Sequence, residues 1–159
     1  MKKARFPSLL EGAILLYCLW GSRNLLTSWY NTPHLKYADW AFFVWILPVL
    51  LYWTYPLNLS AEKKTTFFFF PIGLIIALLG NLGNLRALGH LGLALTVTGL
   101  LPWNPFNLIW AAASASWMPA TGYFLRFLSV NTVIVLRLLT AALGMGIALF
   151  LIFKKRKIC

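Results

Sequence analysis

The stretch WMPATGYFLRF, Trp117 to Phe127, joins a run of small residues to a long apolar segment. Whether the chain turns round here decides the fold. Pro119 and Gly122 interrupt an otherwise apolar pattern, and proline and glycine are the strongest local breakers of regular structure. We read the stretch as a connection between two apolar helices. Trp117 and Tyr123 are expected at the level of lipid headgroups, with Arg126 facing water or lipid phosphate.

Downstream of the connection, one apolar run extends from about Val133 to Phe153 and stops at KKRK. Upstream, Phe106 to about Trp117 carries AAASAS. Its small residues Ala111, Ala112, Ala113, Ser114 and Ala115 let another helix approach closely. Further back, Leu85–Leu101 is a helix ended by Pro102 and Pro105, and Phe67–Leu79 is a shorter one with Pro71 in its first turn. Gly80, Asn81, Gly83 and Asn84 make the turn between them. Trp40–Tyr55 has Trp40, Trp53 and Tyr55 as interface anchors and Pro48 as a kink, and Ser8–Leu25 is the first helix. These are six apolar stretches; a four-helix version omits the third and fifth.

Composition explains why these stretches are read as membrane helices. The chain has 159 residues, 60% of them apolar, with Glu11, Asp39 and Glu62 as its only acids. A soluble domain of this size needs far more surface charge. The eight Trp and six Tyr suit a chain with two bilayer interfaces to anchor. The expectation is an all-α polytopic integral membrane protein of about six transmembrane helices, folded as one domain over residues 1–159.

A net charge of +11 could suggest nucleic acid. Its distribution argues otherwise. Nine of the fourteen basic residues lie in three clusters that flank apolar runs: Lys2, Lys3 and Arg5; Lys63 and Lys64; Lys154, Lys155, Arg156 and Lys157. Clusters so placed fix topology against anionic lipid. Six crossings put all nine in the cytoplasm with both termini, and leave Arg23, Lys36, Arg86 and Arg126 outside. Five crossings would export KKRK. The partner expected is therefore the lipid bilayer, with a second membrane protein as a further candidate, and no nucleic acid. MKKAR followed by apolar residues imitates a signal peptide, but Glu11 interrupts the run and no A-x-A site follows, so an uncleaved helix is expected. The ending KKRKIC resembles a lysine-based retrieval signal, which positive-inside clusters also produce by chance.

Little in the chain carries chemistry. Arg137 is the strong charge inside the last apolar run, and such a charge is a functional candidate by default. Seventeen residues separate it from Lys154, about 25 Å of helix, so it is expected near the outer boundary, where it can snorkel. Arg126, His34 and His90 are the other outer-face candidates, and Glu11 is an inner-face charge. Depth separates Glu11 from Arg137, so no pair is expected between them. Two histidines with Asp39 as sole third ligand make a poor metal site, and neither a metal nor a cofactor is expected. Cys18, about 15 Å into the first helix, reads as an inert buried thiol, and it and Cys159 are not placed to meet.

Taken in order, LLTSWYNTPHLKYADWAFFVWILPVLLYW, ALGHLGLALTVTGLLPWNPFNLIWAAASASWMPATGYFLRFL and WMPATGYFLRFLSVNTVIVLRLL resemble the N-terminal half of the exosortase/archaeosortase family, over roughly Leu25 to Leu139. The likeness is one of patterned hydrophobicity. It implies a multi-spanning protein of a bacterial plasma (inner) membrane concerned with sorting exported proteins. The family's proposed catalytic Cys, Arg and His lie in a later half, so no catalytic residue carries over to Cys18 or Cys159. The resemblance thus implies a non-catalytic relative acting as helper or scaffold, a fragment, or half of a split protein. A small transporter or channel, and an assembly subunit docking through AAASAS, stand as alternatives.

Overall fold

Residues that are apolar on nearly every side form helices wherever no proline or glycine stops them, and this chain does so throughout its described length. The computed structural model describes residues 9–54, 69–101 and 107–156. The N-terminal basic cluster, the loop with Lys63 and Lys64, Pro102, Pro105 and Cys159 lie outside the described residues. The described residues form α1 (Leu9–Gly21), α2 (Asn24–Asn31), α3 (Ala38–Thr54), α4 (Phe69–Leu82), α5 (Arg86–Thr98), α6 (Asn107–Ala112), α7 (Pro119–Phe124) and α8 (Val130–Arg156), with short 3-10 turns at Pro33–Leu35 and Ala113–Ser116. The fold is all-α. Among the described residues two stretches are long and apolar enough to cross a membrane, Pro33–Leu51 and Val130–Phe150, while Glu11–Gly21 and Phe69–Leu82 are apolar but shorter.

Local chemistry sets several helix boundaries differently from the sequence reading. The first helix does not run unbroken to Leu25. The Ser22 N–H is shared between the Cys18 and Leu19 carbonyls, each 3.1 Å away, which tightens the end of α1 before the chain restarts as α2. α4 continues through Gly80 and Asn81 to Leu82, and the turn is confined to Gly83–Leu85, with Asn84 left-handed at φ 55°. Asparagine tolerates that conformation. α8 starts at Val130, not Val133, because the Ser129 hydroxyl accepts the Thr132 N–H at 3.2 Å and so caps the helix.

α4 and α5 form the tightest pair. Phe70 meets Gly99, Gly73 meets Thr96, Ala77 meets Gly92 and Gly80 meets Gly89, so each step up α4 matches a step down α5. Backbones touch along this seam because one partner at each level has no side chain. Gly21, at the end of α1, packs against the Asn81 side chain at the end of α4, so both helices finish at the same end of the molecule.

A second group is built on α3, α6 and α8. Trp45 of α3 meets Trp110 of α6, and Phe42 meets Trp117, which makes these segments antiparallel. Ala113 lies against Gly144, and Ser116 against Arg137, so α8 runs antiparallel to α6. The apolar segments α1, α3, α4, α5, α6 with its 3-10 extension, and α8 therefore alternate in direction. α2, the 3-10 turn at Pro33–Leu35 and α7 lie together across the end where α1 and α4 finish.

Candidate functional site

Five aromatic rings form the centre of the α3–α6 group. Trp45 and Trp110 stack with centroids 4.9 Å apart at 16°. Their bonding is reciprocal: the Trp45 indole N–H donates to the Trp110 carbonyl at 2.8 Å, and the Trp110 indole N–H donates to the Trp45 carbonyl at 2.9 Å. Pro48 lies inside α3 one turn beyond Val44, whose carbonyl loses its helical donor there, and the neighbouring Trp45 carbonyl accepts a bond from another helix. Trp117 joins the cluster edge-on to Phe42 at 5.2 Å and tilted against Trp45 at 5.4 Å. Trp29 of α2 contacts Phe42 and donates its indole N–H to the Trp117 carbonyl at 2.9 Å.

Trp117 is 0% exposed. The expectation that it anchors at the headgroup level is therefore corrected. Trp110 and Trp117 are seven residues apart, a spacing that shares one face of an α-helix, and both rings meet Trp45 even though the segment tightens after Ala112. That spacing is the signal in the sequence for a shared inner face. Trp40, by contrast, is exposed as an anchor would be.

Beside the cluster, Arg137 is 2% exposed. It lies seven residues into α8, about 10 Å from the helix start, but does not snorkel as expected. It turns inward to the corner where the Ala113–Ser116 turn gives way to α7. One terminal N–H donates to the Ser116 carbonyl at 2.5 Å and the other to the Thr121 hydroxyl oxygen at 3.3 Å. The Thr121 hydroxyl lies 2.7 Å from both the Ala115 and Met118 carbonyls. Gly122 gives the guanidinium room: a Cβ there would come within 3.0 Å of an Arg137 terminal nitrogen and 2.7 Å of the Leu35 side chain. WMPATGYFLRF is thus no open loop. It folds as a helical corner, started by Pro119 at the first position of α7 and tied to α8 by a buried cation. The cation bonds to the Ser116 carbonyl at the end of a helical turn, where the peptide dipoles place partial negative charge.

Four buried polar atoms in or beside this corner have no hydrogen-bond partner among the described residues: Arg137 Nε, Ser116 Oγ, Trp117 Nε1 and, in the neighbouring 3-10 turn, His34 Nδ1. The remaining candidates lie apart. Arg126 is exposed after α7, His90 is buried one turn into α5, and Glu11 is half-buried in the first turn of α1, at the opposite end. Among the described residues no three His, Cys, Asp or Glu side chains group as metal ligands. Cys18 is buried, and its Sγ lies 3.8 Å from the Thr96 hydroxyl, which itself donates to the Gly92 carbonyl at 2.8 Å. The thiol is then the donor of that contact.

The small residues also differ from expectation. AAASAS is not one α-helix, because after Ala112 it tightens into a 3-10 turn. Ala113, Ser114 and Ser116 are buried, Ala111 and Ala115 half-buried and Ala112 exposed. Their close approach is to the chain's own α8, where Gly144 meets the Ala113 methyl, so this face does not stand open to a partner. Comparison with family models, with curated proteins and with solved structures finds no match to this chain.

Proposed function

We propose that the chain is a membrane protein of about six crossings, acting as a non-catalytic, exosortase-like helper or scaffold in protein sorting at the cell envelope. Its place is a bacterial plasma membrane, with both termini in the cytoplasm. Six helical segments of alternating direction support the crossings; among the described residues two stretches have the length and hydropathy for a full span and two more are apolar but shorter.

The observation that carries a scaffold over a transporter is where the interior polar groups spend their hydrogen bonds. Arg137, Thr121, Thr96 and the Trp45–Trp110 pair all bond to the chain's own backbone or to one another. A carrier or channel turns such groups towards a path or a site near the midplane. Here Arg137 ties α8 to the corner before α7, the tryptophan pair ties α3 to α6, and the threonines bond within their own segments, which suits a body that holds a fixed shape for a second membrane protein.

The test is purification of the full chain from its native membrane in mild detergent, followed by reconstitution into vesicles. A second membrane protein at constant ratio is the expected result. A chain that stays dissolved and monodisperse without detergent refutes the membrane reading, and solute uptake by vesicles holding the chain alone refutes the scaffold reading.

A further inference from the structure

The end of the molecule where α1 and α4 finish brings exposed cations together with exposed aromatic rings. Arg23, Lys36, Arg86 and Arg126 are all there and all exposed, and Asp39 is the one acid among the described residues at that end. α2 and α7, of eight and six residues, are too short to span anything and lie in contact with each other. Each is two-faced. α2 buries Leu25 and Trp29 and exposes Leu26 and Tyr30, and α7 buries Pro119 and Gly122 and exposes Tyr123 and Phe124.

Tyr30, Phe124 and Phe127 are each 78% exposed, more than any core-facing role allows. Two of the cations already lie over aromatic rings, Arg23 over Trp20 at 5.2 Å and Lys36 over Tyr37 at 5.3 Å. Rings beside cations are the composition of a helix lying in the headgroup layer, with apolar bodies in the acyl boundary and charges among the phosphates.

We infer that α2 and α7 form a plate that lies in the bilayer interface and binds anionic phospholipid headgroups through Arg23, Lys36 and Arg126. The inference rests on the membrane reading above and adds a lipid class and a surface to it. Charge complementarity selects the lipid: three exposed cations flank the plate, and the one acid among the described residues at that end is the half-buried Asp39. Zwitterionic headgroups offer no net charge to hold them.

The experiment is a lipid titration of the purified full chain in detergent, read by native mass spectrometry, with phosphatidylglycerol and phosphatidylcholine as probes. Phosphatidylglycerol is expected to be retained and phosphatidylcholine not. The triple variant Arg23→Gln/Lys36→Gln/Arg126→Gln is expected to weaken phosphatidylglycerol binding on the order of a hundredfold, about fivefold for each basic residue near the surface. A second variant, Arg23→Lys/Arg126→Lys, keeps the charge and is expected to keep the binding. Equal retention of both lipids, an unaffected triple variant, or a protein partner on the plate in place of lipid overturns the inference while leaving the membrane reading standing. Failure of the chain to enter bilayers at all overturns both.

Discussion

Replacing Gly92 by alanine tests the α4–α5 seam. In an ordinary exposed helix the change is stabilising by about 0.8–1.0 kcal/mol, because glycine costs backbone entropy. Here the new Cβ would lie 2.6 Å from the Ala77 Cα and 2.7 Å from its Cβ, and closer still to its backbone nitrogen. Carbon atoms not bonded to one another sit at about 3.5–4.0 Å, so the two helices must part by about 1 Å. The opposing atoms are mostly backbone and cannot rotate aside. Parting at Gly92 also loosens the contacts on either side, Gly73 with Thr96 and Gly80 with Gly89. Overpacking of this kind costs about 1–3 kcal/mol, so after the propensity gain the net loss should be about 0–2 kcal/mol, and Gly92→Ala should fall about 1–3 kcal/mol below a glycine-to-alanine change in open space. Gly146→Ala and Gly12→Ala are the controls, since a Cβ at either position meets nothing within 4 Å. Denaturant unfolding in mixed micelles, followed by helical circular dichroism, would rank the variants. If Gly92→Ala proves as stable as Gly146→Ala, the close backbone seam is not a feature of the folded protein.

Arg137→Gln should destabilise by about 1.5–3 kcal/mol, the worth of a hydrogen bond from a charged donor, and should raise protease cleavage between Ser116 and Arg126; unchanged unfolding and cleavage would remove Arg137 as the tie of that corner. Trp45→Phe keeps a stacked ring but leaves the Trp110 carbonyl without its indole donor, for a loss of about 1–3 kcal/mol in the same unfolding assay. Cys18 should resist maleimide in the native protein and react only as fast as the fold opens, so prompt labelling in mild detergent would contradict its burial.

The expected chemistry of Arg137 and Trp117 shows where sequence reasoning stopped. The seventeen residues between Arg137 and Lys154 fix depth along a helix but say nothing of direction around it. The inward turn depends on Gly122 and Thr121, which come close only after the corner between Ser116 and Pro119 has formed. Trp117 looked like an anchor because it stands beside a break, and tryptophan at breaks often marks an interface. Its partners, Phe42 and Trp45, are more than seventy residues away in the chain.

Amino-acid content and order alone determined that the chain is helical, where its apolar stretches lie and, to within a few residues, where most of them end. Those properties follow from proline, glycine, capping groups and hydropathy, all of which act over a few neighbouring positions. Tertiary structure decided which side of each helix faces inward, which glycines touch a neighbouring backbone, and that the small residues of AAASAS serve the chain's own α8. When nearly every face of a helix is apolar, periodicity carries no record of its inner side, and only the fit of rings, glycines and one buried cation against distant partners supplies it.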